Sequence, residues 1–165
     1  MLIVFSGLPG AGKTAIAREL ARTIAAVHLR IDSIEQALHR AGHRVESEGY
    51  DIAYAVADDN LRVGRTVIAD CVNPWSLTRD AWRAVAERAG VAALDVEVVC
   101  SDAAEHRRRV ESREADIAGH VLPTWRDVVE RDYHAWSRDR LVVDTAAGEI
   151  GAAVGAIVAR LPARG

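Results

Sequence analysis

Strand-length apolar runs alternate with stretches whose apolar positions recur at helical spacing, from one end of the chain to the other. Leu2-Ile3-Val4-Phe5-Ser6 reads as a first strand. Thr14 to Ala26, with Ile16, Leu20 and Ile24 on one face, reads as a helix. Val27-His28-Leu29-Arg30-Ile31 alternates apolar and polar positions and predicts a second strand that ends at Asp32. Ser33 to Arg40 predicts a short helix stopped near Gly42. His43 to Gly49 is polar and reads as a loop, and Tyr50 to Val63 reads as a helix that Gly64 ends. Thr66-Val67-Ile68-Ala69 predicts a third strand ending at Asp70. A turn at Asn73-Pro74-Trp75 then leads into a helix from about Leu77 to Arg88, with Gly90 as its stop. Leu94 to Cys100 is the fourth expected strand. Asp102 to about Glu114 reads as a helix, with Asp102 and Glu105 spaced as a capping-box variant. Ala115 to Leu122 reads as a loop. Pro123 suits the first turn of a helix running to about Trp136, on which Trp125, Val128, Val129, Tyr133 and Trp136 form an apolar stripe. Leu141-Val142-Val143 is the fifth strand, and Ile150 to Leu161 the last helix.

This alternation predicts an α/β fold: a parallel sheet covered by helices on both faces. In such sheets ligands bind outside the carboxyl ends of the strands. All five ends carry polar residues here: Ser6, Asp32, Asp70, Asp102 and Asp144. For Asp102 and Asp144 the expected role is to shape strand-to-helix turns. Asp32 and Asp70 are expected to act in a site.

The chemistry centres on Gly7-Leu8-Pro9-Gly10-Ala11-Gly12-Lys13-Thr14, which fits G-x-x-x-x-G-K-[ST], the phosphate-binding P-loop. The motif requires a strand before it and a helix after it, and both are predicted. Glycines let backbone N–H groups turn inward around a phosphate. The helix that follows directs its partial positive charge at the same phosphates. Lys13 is expected to reach the β- and γ-phosphates of ATP, and the Thr14 hydroxyl to bind Mg²⁺, with Asp70 as a second metal-side residue. Lys13 is the only lysine in the sequence, and the other 20 basic residues are arginine (Lys+Arg 21). It stands where a slim ammonium must thread between phosphates, a task a planar guanidinium does not perform equally.

Composition narrows the rest. The chain has 165 residues, half of them apolar, which suits one domain spanning 1–165. A formal net charge of −3 without a long basic stretch argues against binding long nucleic acid. The longest apolar runs are strand-sized, so no membrane span is expected. Met1 leads directly into the first strand, so no signal peptide is expected and the cytoplasm is the expected compartment. Cys71 and Cys100 read as reduced thiols in the core. No feature of the sequence indicates the oligomeric state.

Among P-loop proteins, GTPases that read guanine through N-K-x-D are excluded by the single lysine. Motor and helicase-type ATPases usually carry an acidic pair after the site's second strand, whereas Asp70 is followed by Cys71. The remaining class moves the γ-phosphoryl to a bound acceptor, which needs a group to orient the acceptor and arginines to cover the phosphates. Asp32 is the candidate base. The cluster His106-Arg107-Arg108-Arg109-Val110-Glu111-Ser112-Arg113 is the candidate lid, and the mobile segment is expected at about 107–122. Arg109 and Arg113 are four apart and share a helix face.

Arg30-Ile31-Asp32-Ser33-Ile34-Glu35-Gln36-Ala37-Leu38 resembles the catalytic-aspartate segment of chloramphenicol phosphotransferase. Val67-Ile68-Ala69-Asp70-Cys71-Val72-Asn73-Pro74, followed by Arg79, resembles the matching segment of the kinase module of polynucleotide kinases. The resemblance implies a three-layer P-loop NTPase fold with strand order 2-3-1-4-5. It also implies that Asp32 acts on the acceptor hydroxyl, and that Asn73, Trp75 and Arg79, after the third strand, contact the acceptor. His43, Arg44 and Tyr50 are further candidates to line its pocket. The leading expectation is an ATP-dependent, Mg²⁺-dependent kinase for a hydroxyl on a small metabolite or antibiotic. A polynucleotide or nucleoside 5′-hydroxyl kinase is the alternative. A nucleotide-binding regulator or toxin-like protein is a third.

Overall fold

The computed structural model describes residues 1–162, so the last three residues of the expected 1–165 domain lie outside the described residues. Five strands, β1 (Leu2–Ser6), β2 (Val27–Arg30), β3 (Val67–Asp70), β4 (Ala93–Val99) and β5 (Leu141–Asp144), form one sheet in the order β2-β3-β1-β4-β5. Every pairing is parallel, with Leu2 opposite Val67 on one side and Ala93 on the other. Seven helices connect or flank them among the described residues: α1 (Lys13–Ile24), α2 (Ile31–Arg40), α3 (Glu48–Arg62), α4 (Ser76–Arg88), α5 (Ala103–Ser112), α6 (Trp125–Val129) and α7 (Ile150–Val158). This is the fold class and strand order expected of a P-loop NTPase.

The period-2 geometry of strands divides the core in two. Leu2 and Val4 of β1 face a cluster with Ala53, Ala57 and Leu61 of α3 and Trp82, Val85 and Ala86 of α4. Ile3 and Phe5 face the opposite cluster, with Ile16, Ala17 and Leu20 of α1 and Val154 and Ile157 of α7. Central β1 is buried along its whole length. It therefore fixes the place from which the glycine loop departs.

Two expected elements differ. The second strand ends at Arg30, and α2 starts at once at Ile31, so Asp32 lies in the first turn of a helix and not at a strand end. Arg30 keeps extended angles (φ −106°, ψ 117°) and serves as N-cap, so no intervening turn is needed. The helix expected to reach Trp136 stops after five residues, at Val129. A full capping box, Thr124 with Asp127, starts it. Tertiary contacts then take over. The His134 N–H donates to the Pro74 carbonyl at 2.8 Å, the Tyr133 hydroxyl to Glu97 at 3.1 Å, and Trp136 lies over the Arg79 guanidinium. Residues 130–140 are thus a strap fastened to the turn after β3, and Val129 is exposed where core was expected. No described helix is long and apolar enough to cross a membrane.

Candidate functional site

The carboxyl ends of β1, β2 and β3 and the start of α1 open into one cleft of about 1280 Å³. A pocket for one drug-sized ligand holds roughly 300–1,000 Å³, so there is room for two ligands side by side.

The floor is the glycine loop. Gly7 has φ +137°, and a Cβ there would lie 2.1 Å from the Val98 carbonyl oxygen, so this position admits only glycine. Gly12 (φ +99°) is the N-cap of α1, with no side chain capping the helix. The backbone N–H groups of Gly10, Gly12, Lys13 and Thr14 make no hydrogen bond to other described backbone, which leaves a row of donors at a helix start. The loop is braced from outside. His106 Nε2 lies 2.8 Å from the Pro9 carbonyl, and the Thr145 hydroxyl 2.9 Å from the Ala11 carbonyl.

Lys13 is buried, and its Nζ donates to the Leu8 carbonyl at 2.9 Å. Burial lowers its pKa, against the attraction of Asp70 and Asp32, which raises it. An ammonium in that state gains from an anion placed against it. Asp70 is buried at the end of β3, with one oxygen 3.1 Å from His28 Nε2. Thr14, one residue beyond Lys13, has no side-chain hydrogen bond and lines the cleft with Asp70. A hydroxyl and a single carboxylate beside a phosphate cradle suit Mg²⁺, which keeps several waters and takes few protein ligands. Among the described residues there is no group of three His, Cys, Asp or Glu side chains fit to hold a metal by themselves.

Asp32 lines the same cleft, with its carboxylate 3.4 Å from Arg30. Glu35 lies one turn further along α2, and its pKa is raised, first by burial and then by the Asp32 charge. The expected lid arginines reach the cleft by different routes. The helix ends at Ser112, and Arg113 adopts extended angles as its C-cap, so the two no longer share a helix face. Arg109 is engaged by Glu105 at 2.6 Å and by the Thr145 hydroxyl and carbonyl at 2.8 Å each. The Arg113 Nε is buried without a hydrogen-bond partner. Arg107 and Arg108 point away, paired with Glu111 and Glu105. A second cavity of about 500 Å³ adjoins the loop between Gly12, Arg109, Thr145 and Gly148.

The acceptor-side expectations divide. Tyr50 and Trp75 line the cleft, together with Tyr54 and Leu77. Asn73 does not: it is fully buried at φ +49°, its amide donating to the Ser6 hydroxyl at 2.9 Å. Arg79 is 2% exposed and donates to the carbonyls of Asn73, Pro74 and Ala135, between the rings of Tyr133 and Trp136. It rivets the strap to the β3–α4 turn and, buried outside the cleft lining, presents no donor to a ligand there. Arg44 and His43 stand outside the cleft on the exposed loop, Arg44 paired with Glu46. Cys71 and Cys100 are free thiols, Cys71 buried. Asp102 caps α5, and Asp144 accepts from the N–H groups of Ser101 and Ala146, which are the turn-shaping roles expected.

The sequence reading passed over Arg18, Glu35, Asp116 and Thr145. Arg18 is four residues beyond Thr14, so helical spacing alone sets it on the cleft side of α1. Thr145 follows the fifth strand at the ligand-binding edge. Asp116 lies in an irregular stretch and had no periodic signal.

No curated protein matches the chain. Solved structures show the same fold at low identity. One is a proposed kinase from Chloroflexus aurantiacus (TM-score 0.76, 20% identity, 98% of each chain covered). Another is the APS kinase CysC of Mycobacterium tuberculosis in complex with AMPPNP and APS (TM-score 0.73, 18% identity, 96% of this chain and 95% of that one). A third is Kti12 of Chaetomium thermophilum with ADP-AlF3 (TM-score 0.71, 20% identity, 98% of this chain and 100% of that one). Residues 2–131, which carry the glycine loop, Asp32, Asp70 and Arg113, match the AAA domain family AAA_33, and the chain belongs to it.

Proposed function

We propose that the protein is an ATP-dependent kinase that moves the γ-phosphoryl group to a hydroxyl on a small molecule. One observation carries this reading: Asp32 and the P-loop Lys13 line a single cleft with room for two ligands. A protein that only binds or hydrolyses nucleotide has no need of a second compartment beside the phosphates. The likeness to structures that hold AMPPNP with APS, or ADP with AlF3, supports nucleotide in the cradle.

In this reading the N–H row from Gly10 to Thr14 and the Lys13 ammonium hold the β- and γ-phosphates. Thr14 and Asp70 would hold an Mg²⁺ ion, which would neutralise phosphate charge. Asp32 orients the acceptor hydroxyl in line with the γ-phosphorus and takes its proton as the new P–O bond forms and the β–γ bridge bond breaks. Arg113 spreads its charge over the transferring group. The phosphoryl transition state is loose, so positioning and charge are most of what the protein supplies. Tyr50, Tyr54 and Trp75 offer the acceptor an aromatic wall. Arg109 and Thr145, beside the second cavity, border the nucleotide's base.

The test is transfer from γ-labelled ATP to a panel of nucleosides, oligonucleotides, sugars, sugar acids and hydroxylated antibiotics, against ATP turnover without acceptor. Acceptor-dependent turnover is expected. Turnover that no acceptor accelerates would replace this reading with a nucleotide-gated regulator.

A further inference from the structure

We infer that the acceptor carries an anionic group (phosphate, sulfate or carboxylate) close to the hydroxyl it presents, and that Asp116 holds that group's place when the site is empty. The position of the hydroxyl rests on the kinase reading above. The anion rests on the arginines alone.

Three guanidiniums from three elements line one side of the cleft: Arg18 from α1, Arg30 from the end of β2 and Arg113 from the end of α5. Like charges gathered in a half-buried place are unfavourable unless an anion lies among them. The anion here is Asp116. A single oxygen, Oδ2, accepts from Arg18 Nη2 at 2.6 Å and from Arg30 Nη1 at 2.7 Å. These are the lengths of strong charge-assisted bonds. The two arginines, Arg30 foremost, hold the Asp116 carboxyl well below the usual carboxylate range, so it is charged at any physiological pH.

Asp116 is not part of the scaffold. It lies in the irregular stretch between α5 and α6, and its side chain is 43% exposed. Arg30, by contrast, is only 11% exposed and fixed at the edge of the sheet. A carboxylate on a loop can leave, and the guanidiniums remain. They also have donors to spare: Asp116 engages only Nη2 of Arg18 and Nη1 of Arg30, out of five N–H groups on each guanidinium. A tetrahedral or planar oxyanion offers more acceptor oxygens than the one that Asp116 supplies. Asp32, at 3.4 Å from Arg30, is too far to satisfy it as Asp116 does. Arg30 touches both carboxylates, so the hydroxyl at Asp32 and the anion at Asp116 are one guanidinium apart. Both belong to one small acceptor.

The experiment uses sulfate as probe, titrated into enzyme whose P-loop is saturated with AMPPNP and Mg²⁺, read by fluorescence of Trp75 in the cleft. Asp116→Asn removes the competing charge and is expected to tighten sulfate binding roughly three- to tenfold, the range for losing one charged partner. Arg18→Gln and Arg30→Gln are expected to weaken it about tenfold. If Arg30→Gln does not fold, the more exposed Arg18→Gln decides. Unchanged sulfate affinity in Asp116→Asn, even with faster hydrogen exchange in 113–124, makes Asp116 a mere latch and overturns the inference. The second arm measures labelled transfer to matched pairs: glycerol against glycerol 3-phosphate, a sugar against its phosphate, its sulfate and its sugar acid. Preference for one charged class, lost in Arg18→Gln, supports the inference and names the anion. Equal transfer to the neutral members keeps the kinase reading and overturns this one. Transfer to none sinks the kinase reading, and the sulfate titration still decides the anion site.

Discussion

Lys13 is a charge held where water cannot serve it, with a single carbonyl, Leu8, for its three donors. Such an ammonium is stable only if an anion completes its shell. Lys13→Ala is therefore expected to weaken ATP binding by about 1.5–3 kcal/mol, roughly ten- to a hundredfold, in calorimetric titration; unchanged affinity would remove the P-loop from the site. Asp32 raises a different question, because an aspartate before a helix can be a cap. Here Arg30 is the N-cap and no side chain caps α2, so Asp32 has no capping duty to lose. Asp32→Asn should leave ATP affinity and melting temperature nearly unchanged while transfer falls about 10²–10⁴-fold; near-normal turnover would end its catalytic assignment. Glu35 carries a pH signature. Burial raises its pKa above the ordinary value, so the folded state binds its proton more tightly than the unfolded chain does. Stability from this group is then greatest in acid and falls as pH rises from near 4.5 through the folded pKa. Glu35→Gln should flatten that slope in melts between pH 4 and 7 and raise stability at pH 7; an unchanged slope would show that Glu35 ionises freely. At this scale the motif residues were legible because their chemistry is local. Arg79 and Asn73 were not, since their partners Tyr133, Trp136 and Ser6 are remote in sequence.

Elements whose apolar period was strong appear where expected, and those built by tertiary contact do not. The five strands and α1, α3, α4 and α7 bury continuous stripes against the sheet, and the sequence shows such stripes directly. The aromatic stripe from Trp125 to Trp136 has helical spacing too, but its second half packs on Arg79 and Glu97 as an extended strap. Spacing cannot tell a helix from a strap when each residue has its own distant partner. The lid shows the same limit. α5 is anchored by His106 and Val110 and stops at Ser112, after which residues 113–124 hold the cleft with few fastenings, chiefly Asp116. That arrangement is expected to move. Hydrogen exchange over 113–124 should be the fastest of the cleft-lining backbone in the empty protein and slow on addition of AMPPNP and Mg²⁺. Equal, slow exchange in both states would make it a fixed wall.

At the scale of the molecule, right-handed crossovers and a site at the carboxyl ends of the strands allow several parallel orders, so the observed β2-β3-β1-β4-β5 was legible only through the family resemblance and not through periodicity. What composition alone left open is where 20 arginines go, and that distribution bears on the size of the acceptor. Several are paired one to one with a carboxylate outside the cleft: Arg62 with Asp58, Arg107 with Glu111, Arg126 with Glu130 and Arg138 with Asp80, and Arg83 and Arg140 with the buried Asp95 and Glu97. The exposed pairs are worth little to stability, but each sets a carboxylate beside its guanidinium, which interrupts a basic track for a phosphate backbone. Arg18, Arg30 and Arg113, by contrast, gather at the cleft. A polynucleotide acceptor would have to be gripped along its length, and each phosphate neutralised would add about −0.7 to the slope of log affinity against log salt. A small acceptor needs one or two such contacts at most. Oligonucleotide binding is therefore expected to be weak, with a slope no steeper than about −1 between 50 and 200 mM salt by fluorescence anisotropy. Tight binding with a slope of −3 or steeper would mean that the molecule makes a track these pairs do not interrupt, and the 5′-hydroxyl nucleic-acid kinase reading would take precedence.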